Sequence, residues 1–392
     1  MAQKELDFEF RKPSKFSLYK GAFLYQETGD MKRLKKLLTY GRYVGLVSFC
    51  LHGKSCIKTL MFLLLIVQVG YGYFSLNYII SQTHRRVTHN IIACIKAVAN
   101  LFFVAICLVN SNLFTVKSWK LFFTILNQIE ELRAIRQLDL RMNKKMCTFY
   151  CEIFLTYFLS LSAVYCYRYY LYISDKSYVG ALKALLQLAL DFYIISIMLI
   201  VYNVSKVVRN RLIFVRQEIR NASNSEVLNE TSAFKLSNLM SLYGLLYALV
   251  ESFNQLFGWH MFFFIANPAL HVIYAIDNLL DCSLEGLPSY FFLRVYQFSF
   301  YLVMVLILVS SCDSVKKNAN QVIRTCYLLH STVESIIIRD QLQQLAVYAE
   351  NWSLSFSAAG FYNIDQSTFP GLFNVILTYT VISIQFNLAL TL

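Results

Sequence analysis

The stretch TFPGLFNVILTYTVISIQFNL, residues 368–388, decides how the chain is read. It contains no Asp, Glu, Lys, Arg or His. As a helix it would be about 30 Å long, the thickness of a bilayer's hydrocarbon core. A span that serves only as an anchor should be apolar all round, yet this one carries Thr378, Tyr379, Thr380, Ser383 and Gln385. Polar groups are costly in hydrocarbon unless they find partners, so part of this helix is expected to face something other than lipid.

The rest of the chain supports a membrane setting. Charged residues make up 15% and the mean hydropathy is +0.48, where a soluble domain carries about 25% charge. Seven stretches are apolar and long enough to span: 57–80, 90–111, 147–167, 181–204, 256–280, 289–311 and 368–388. The fold class expected is therefore all-α, a polytopic membrane protein of seven transmembrane helices. Short connections (81–89, 168–180, 281–288) alternate with long ones (112–146, 205–255, 312–367), so the long segments share the side of the N-terminal tail. Tail and long connections hold 28 Lys and Arg and the short ones hold four, although much of that excess follows from length. The local clusters RQLDLRMNKK (136–145) and KVVRNRLIFVR (206–216) are the firmest anchors. The tail MAQKELDFEFRKPSKF lacks an apolar signal-peptide region. These features predict an N-terminus in the cytosol and a C-terminus outside.

The organisation expected is a cytosolic segment at 1–56, helices one to six with their extensions at 57–311, a helical cytosolic connection at 312–367, and the last helix with a short tail at 368–392. The long connections read as helix. Residues 117–140 set Leu121, Ile125, Ile129, Leu132 and Ile135 at three- and four-residue steps, and 312–350 do the same through Val315, Ile323, Leu328, Val333, Ile337, Leu342 and Leu345. Prolines occur only at 13, 268, 288 and 370, so the membrane helices are expected to run on and pack as a helical base.

Several classes are excluded. The net charge of +13 is explained by juxtamembrane Lys and Arg, and no basic cluster interleaves with stacking aromatics, so no nucleic-acid partner is expected. No Gly-rich phosphate loop, HExxH, GxSxG or paired intramembrane aspartate occurs, which argues against an enzyme and against a cofactor. His84 and His89 have poor spacing for zinc. Cys147 and Cys151 read as small buried thiols, while Cys166 and Cys282 fall near outer helix ends, where a disulfide could form. The absence of an internal repeat disfavours a transporter. A G-protein-coupled receptor needs the opposite orientation, and its motifs are missing: YRYYLY (167–172) stands on the wrong side, and Asn267-Pro268 is followed by Ala-Leu-His. Sequons at Asn203, Asn221, Asn229 and Asn351 should stay bare in the expected orientation.

One motif is more specific. Thr378-Tyr379, five mostly apolar residues, then Gln385-Phe386 in a last span resembles the signature of the insect gustatory receptors. AAGFYNIDQSTFPGLFNVIL (358–377), with Gly360, Phe361 and Asp365, resembles that family's entry to the last helix, and YGRYVGLVSF (40–49) its approach to the first. The resemblance implies a ligand-gated, non-selective cation channel in the plasma membrane of gustatory neurons, opened by a small-molecule tastant. It implies a homo- or hetero-tetramer in which four last helices surround one pore. It maps Ile382 and Phe386 onto hydrophobic gate positions and Gln385 onto a polar ring.

Helix geometry is compatible with this. At about 100° per residue, Thr378, Ile382, Gln385 and Ala389 share a stripe roughly 60° wide, with Phe386 on its flank. The competing reading is that Gln385 and Thr378 hydrogen-bond to neighbouring helices as glue. For a ligand pocket, the outer halves of spans three to six offer Tyr165, Asp191, Phe192, His271, Tyr274 and Tyr296, with Tyr167 and Phe292 nearby. Aromatic faces with hydroxyl or imidazole tips suit a mainly apolar ligand, which favours bitter compounds over sugars, although such aromatics are commonly core. Asp191 lies near midplane, where a carboxylate is costly unless it faces water or pairs; Lys96 and Arg294 are the available cations.

Overall fold

The computed structural model describes residues 34–39, 70, 87–109, 116–134, 159, 162, 166, 178–224, 229–282 and 288–391. The expected spans 57–80 and 147–167, and the segment 40–49, lie outside the described residues apart from Gly70, Leu159, Ser162 and Cys166. The other five expected spans fall on helices. In chain order the elements are α1 (Val87–Val109), α2 (Val116–Ala134), α3 (Tyr178–Asn224), α4 (Asn229–Cys282), α5 (Pro288–Thr332), α6 (Ile336–Asn351), the antiparallel pair β1 (Ser357–Ala358) and β2 (Tyr362–Asn363), and α7 (Thr368–Thr391).

Helices α3, α4 and α5 have 47, 54 and 45 residues. At 1.5 Å per residue they extend about 70–80 Å, more than twice a hydrocarbon core, so roughly half of each lies beyond it. Their apolar portions pass into charged portions without a break, because no proline or glycine cluster stops them. Pro268 sits inside α4, where it removes one backbone donor without ending the helix. Segments Ser232–Tyr274 and Ser299–Thr332 are each long and apolar enough to cross a membrane.

The extensions pack against one another, and the phase of that packing corrects the sequence reading. In α2 the buried stripe is Trp119, Phe122, Ile125, Leu126 and Ile129, while Leu121 is half-exposed on the outer face. Ile135 lies outside the described residues. In α5 the stripe runs Val315, Ala319, Val322 and Cys326, and Leu328 faces out. The helix breaks at 333–335, and α6 restarts with Ile338, Leu342, Leu345, Ala346 and Ala349 buried and Ile337 exposed. A shift of one residue turns a helix by about 100°, enough to move a side chain from core to surface.

Where the base joins the apolar portions, aromatic rings form the core. Phe253 and Phe257 of α4 stack at 4.7 Å, Trp119 of α2 meets Phe257 edge-on at 5.7 Å, and Phe356 meets Phe253 edge-on at 5.7 Å. The short helical segment 34–39 buries Leu34 and Leu38, and Lys35 Nζ pairs with the buried Glu130 at 2.6 Å. Cys166 carries a free, exposed thiol, so it is not bridged to Cys282.

Candidate functional site

The last helix is fixed at its base by three devices. The first is the β1–β2 hairpin. Phe361 N–H donates to Ala358 O across a turn whose central residues, Ala359 and Gly360, both have positive φ (52° and 81°). That conformation suits glycine and strains alanine. The turn abuts α4 at Gly258, where a Cβ would stand 2.9 Å from Ala359 N and 3.0 Å from its Cα. One turn earlier on α4, Asn254 acts as a backbone mimic: its Nδ2 donates to Ser355 O (3.0 Å), and its Oδ1 accepts from Ser357 N–H (3.1 Å). Phe361 lies outside this joint, 63% exposed, against Trp259 at 5.7 Å and Phe262 at 5.2 Å. Such a half-exposed aromatic group suits a membrane boundary.

The second device is the cap. Thr368 N–H donates to Asp365 O, Phe369 N–H to Gln366 O and Gly371 N–H to Ser367 O, while Pro370 has no donor to satisfy, so the first turn leaves no orphan. Asp365 Oδ1 accepts from Ser367 N–H at 2.9 Å. The third device is an ion pair: Lys316 Nζ of α5 lies 2.8 Å from Asp365 Oδ2. The Lys316 ammonium, with the Ser367 hydroxyl, pulls the Asp365 carboxyl from its ordinary 3.8 down to about 2. The helix N-terminus favours the same charge.

A lowered carboxyl pKa contributes stability that is complete above the unfolded value, near pH 4, and is lost as pH falls toward 2. Asp365→Asn keeps the acceptor for Ser367 and removes the ion pair. Because Lys316 is 40% exposed, the expected cost is about 0.5–1 kcal/mol. Asp365→Ala also removes the cap and should cost about 1–2 kcal/mol. Thermal unfolding of purified protein should show the Asp–Asn difference at pH 7 and its closure as pH approaches 2.

Above this base, α7 leans on its own chain along one stripe. Ile376 is buried against Ala269 and Val272 of α4, with Leu372 packed beside it and Thr380 half-buried one turn on. At about 100° per residue that stripe lies roughly 150° from the one carrying Thr378, Ile382 and Gln385. All three of those residues are exposed, as are Leu377, Tyr379, Val381 and Ile384. Phe386 lies on the same helix, its side chain outside the described residues.

The expected pocket residues are spread over three membrane helices and one segment outside the description. Tyr165 lies outside the described residues; Asp191 and Phe192 are on α3 and His271 is on α4, with only their backbone described. Tyr274 is half-buried on α4, with Lys96 Nζ of α1 over its ring, 4.6 Å from the centroid. Lys96, a cation considered for Asp191, is thus placed against Tyr274 in a cation–π contact. Tyr296 of α5 is half-buried against the main core. Gly258, Asn254 and Lys316 were not anticipated. The signal for Gly258 was there: a glycine between Phe257 and Trp259 inside a helical pattern marks a close approach.

Residues 34–390 match the family model described as "7tm Chemosensory receptor". Among solved structures, the chain is similar to the insect olfactory receptor OR5 from Machilis hrabei. With eugenol bound, the TM-score is 0.62 at 13% identity, over 91% of this chain and 98% of that one. Without it, the TM-score is 0.60 at 12% identity, over the same shares of both chains. At such identities the likeness is one of fold. No curated protein sequence matches. The family model covers nearly the whole chain, and the helical architecture agrees with it. The chain belongs to the seven-transmembrane chemosensory receptor family, and is a multi-pass membrane receptor rather than an enzyme.

Proposed function

We propose that the protein is a gustatory receptor acting as a ligand-gated, non-selective cation channel of the plasma membrane, opened by small-molecule tastants, with bitter compounds ahead of sugars. The assembly is a homo- or hetero-tetramer in which α7 lines a central pore, with Thr378, Ile382, Gln385 and Phe386 facing it. The observation that carries this reading is the surface of α7. It touches its own chain along Leu372 and Ile376 and carries exposed Thr378 and Gln385 on the far side, where lipid alone would favour apolar groups. The N-terminus is cytosolic, and Tyr165, Asp191, Phe192, His271, Tyr274 and Tyr296 contribute to a pocket reached from outside.

The test is patch recording from cells expressing the chain alone, challenged with bitter compounds, sugars and eugenol. The expected result is a cation current that persists when a nucleotide analogue blocks G proteins. Abolition of the current by that analogue would establish a metabotropic receptor instead. A C-terminal epitope should be reached on intact cells and an N-terminal one only after permeabilisation. Sugar attached at Asn221 or Asn229 would overturn this orientation.

A further inference from the structure

Helices α3 and α5 line a cleft of about 190 Å³, open on one side, whose lining includes Ser205, Lys206 and Arg209 from α3 and Leu306, Ser310 and Ser311 from α5. The apolar stretches of these helices end at 204 and 311, so the cavity lies at the membrane boundary, with its polar residues at or beyond it. Lys206 and Arg209 are three residues apart and therefore share one helix face. Neither forms an ion pair with a described residue. The Nε of Arg209 is buried without a hydrogen-bond partner. Ser205 is 1% exposed, and its hydroxyl has no partner other than the weak Cys312 thiol. Ser310 stands exposed at the rim, and Ser311 donates to Leu308 O at 2.8 Å. Leu306, 41% exposed, supplies an apolar wall on the membrane side.

Two cations, a buried hydroxyl whose one partner is a weak thiol, and an unsatisfied guanidinium N–H line this cavity with no carboxylate among the lining residues; Asp313, three residues beyond Ser310, is paired with Lys317 at 2.7 Å. Buried donors left unpaired are costly, so such a site favours an anion with several acceptor oxygens. A phosphate meets that need, and the apolar wall suits the start of an acyl chain. We propose that this cavity binds the headgroup phosphate of an anionic phospholipid, with Lys206 and Arg209 as its cations. The leaflet assigned, the cytosolic one, rests on the orientation given above. That leaflet is rich in anionic lipid, and a basic pocket between membrane helices on that side suits a phosphorylated headgroup.

Native mass spectrometry of the full-length receptor in detergent tests this, with phosphatidylinositol phosphate and phosphatidylcholine as probes. The wild type should retain the first and not the second. At about 1 kcal/mol per basic side chain, Lys206→Gln with Arg209→Gln should weaken retention about thirtyfold. If the double variant does not yield folded protein, each single variant should show about a fivefold loss. Undiminished retention in the variants overturns the site. Displacement of the lipid by millimolar inorganic phosphate would overturn the lipid assignment in favour of a soluble anion. Binding in detergent is indifferent to orientation, so failure here is separable from failure of the terminal epitopes to map as expected.

Discussion

Gly258→Ala should unsettle the base of the last helix although it adds only one methyl group. The added Cβ would meet Ala359 N at 2.9 Å and Ala359 Cα at 3.0 Å, both backbone atoms, with Ser357 O at 3.5 Å. A flexible side chain could swing aside; a backbone turn cannot. Asn254 holds both edges of that turn through two hydrogen bonds, and Ala359 already stands at φ 52°. Retreat of the hairpin would stretch those bonds and pull on Asp365, only a few residues before α7. Overpacking of this kind costs about 1–3 kcal/mol, which lowers an unfolding midpoint by on the order of 5 °C in a chain of this size. Gly371→Ala is the control: a Cβ there meets nothing within 4 Å. In a helix, that substitution should be neutral or stabilising by up to about 1 kcal/mol. Thermal unfolding of both purified variants decides the matter. An unchanged midpoint for Gly258→Ala would mean that the hairpin is not held tightly against α4.

The contrast between these two glycines marks what the sequence could and could not convey. Long apolar runs are legible because composition alone signals burial in lipid, and five of the expected spans fall on described helices. That much of the long connections continues as helix was also legible, from three- and four-residue periodicity and the scarcity of proline, but 352–367, expected within a helical connection, instead forms the β1–β2 hairpin and its flanking turns. The phase of those helices was not. Leu121, Leu328 and Ile337 satisfy the periodic pattern yet face outward, because the neighbouring element is set by tertiary packing. The importance of Asp365 could be read from its place before the last helix, but its partner Lys316 lies 49 residues away on another element. Lys96 against Tyr274 is of the same kind: two helices bring them together, and nothing local in either segment foretells it. The basic cavity between α3 and α5 illustrates it again. KVVRNRLIFVR was readable as a charge anchor, but the serines facing it come from a helix a hundred residues further on.

Gln385→Arg is expected to suppress cation current strongly while leaving assembly intact. In the proposed pore four copies of Gln385 form a ring of amide dipoles where an entering ion sheds part of its hydration. A neutral ring coordinates a cation without trapping it, whereas four guanidinium groups set a positive barrier in a narrow passage. At separations of 4–8 Å and an effective dielectric near 20, each like-charge interaction with a permeating cation costs about 2–4 kcal/mol. Since 1.4 kcal/mol is a factor of ten, even one such interaction at the low end reduces the current more than tenfold. Ile382, about one turn nearer the base, should close the passage by excluding water, so Ile382→Ser should raise the current measured without ligand. Both side chains are exposed on the single chain, on the face turned away from Ile376, so neither substitution disturbs a core contact. Surface labelling and the size of the assembled oligomer must match the wild type before currents are compared. If Gln385→Arg then conducts with unchanged cation permeability, α7 does not line the pore. Gln385 would instead be a hydrogen-bonding contact between neighbouring helices, and loss of oligomer in Gln385→Leu would identify it as such.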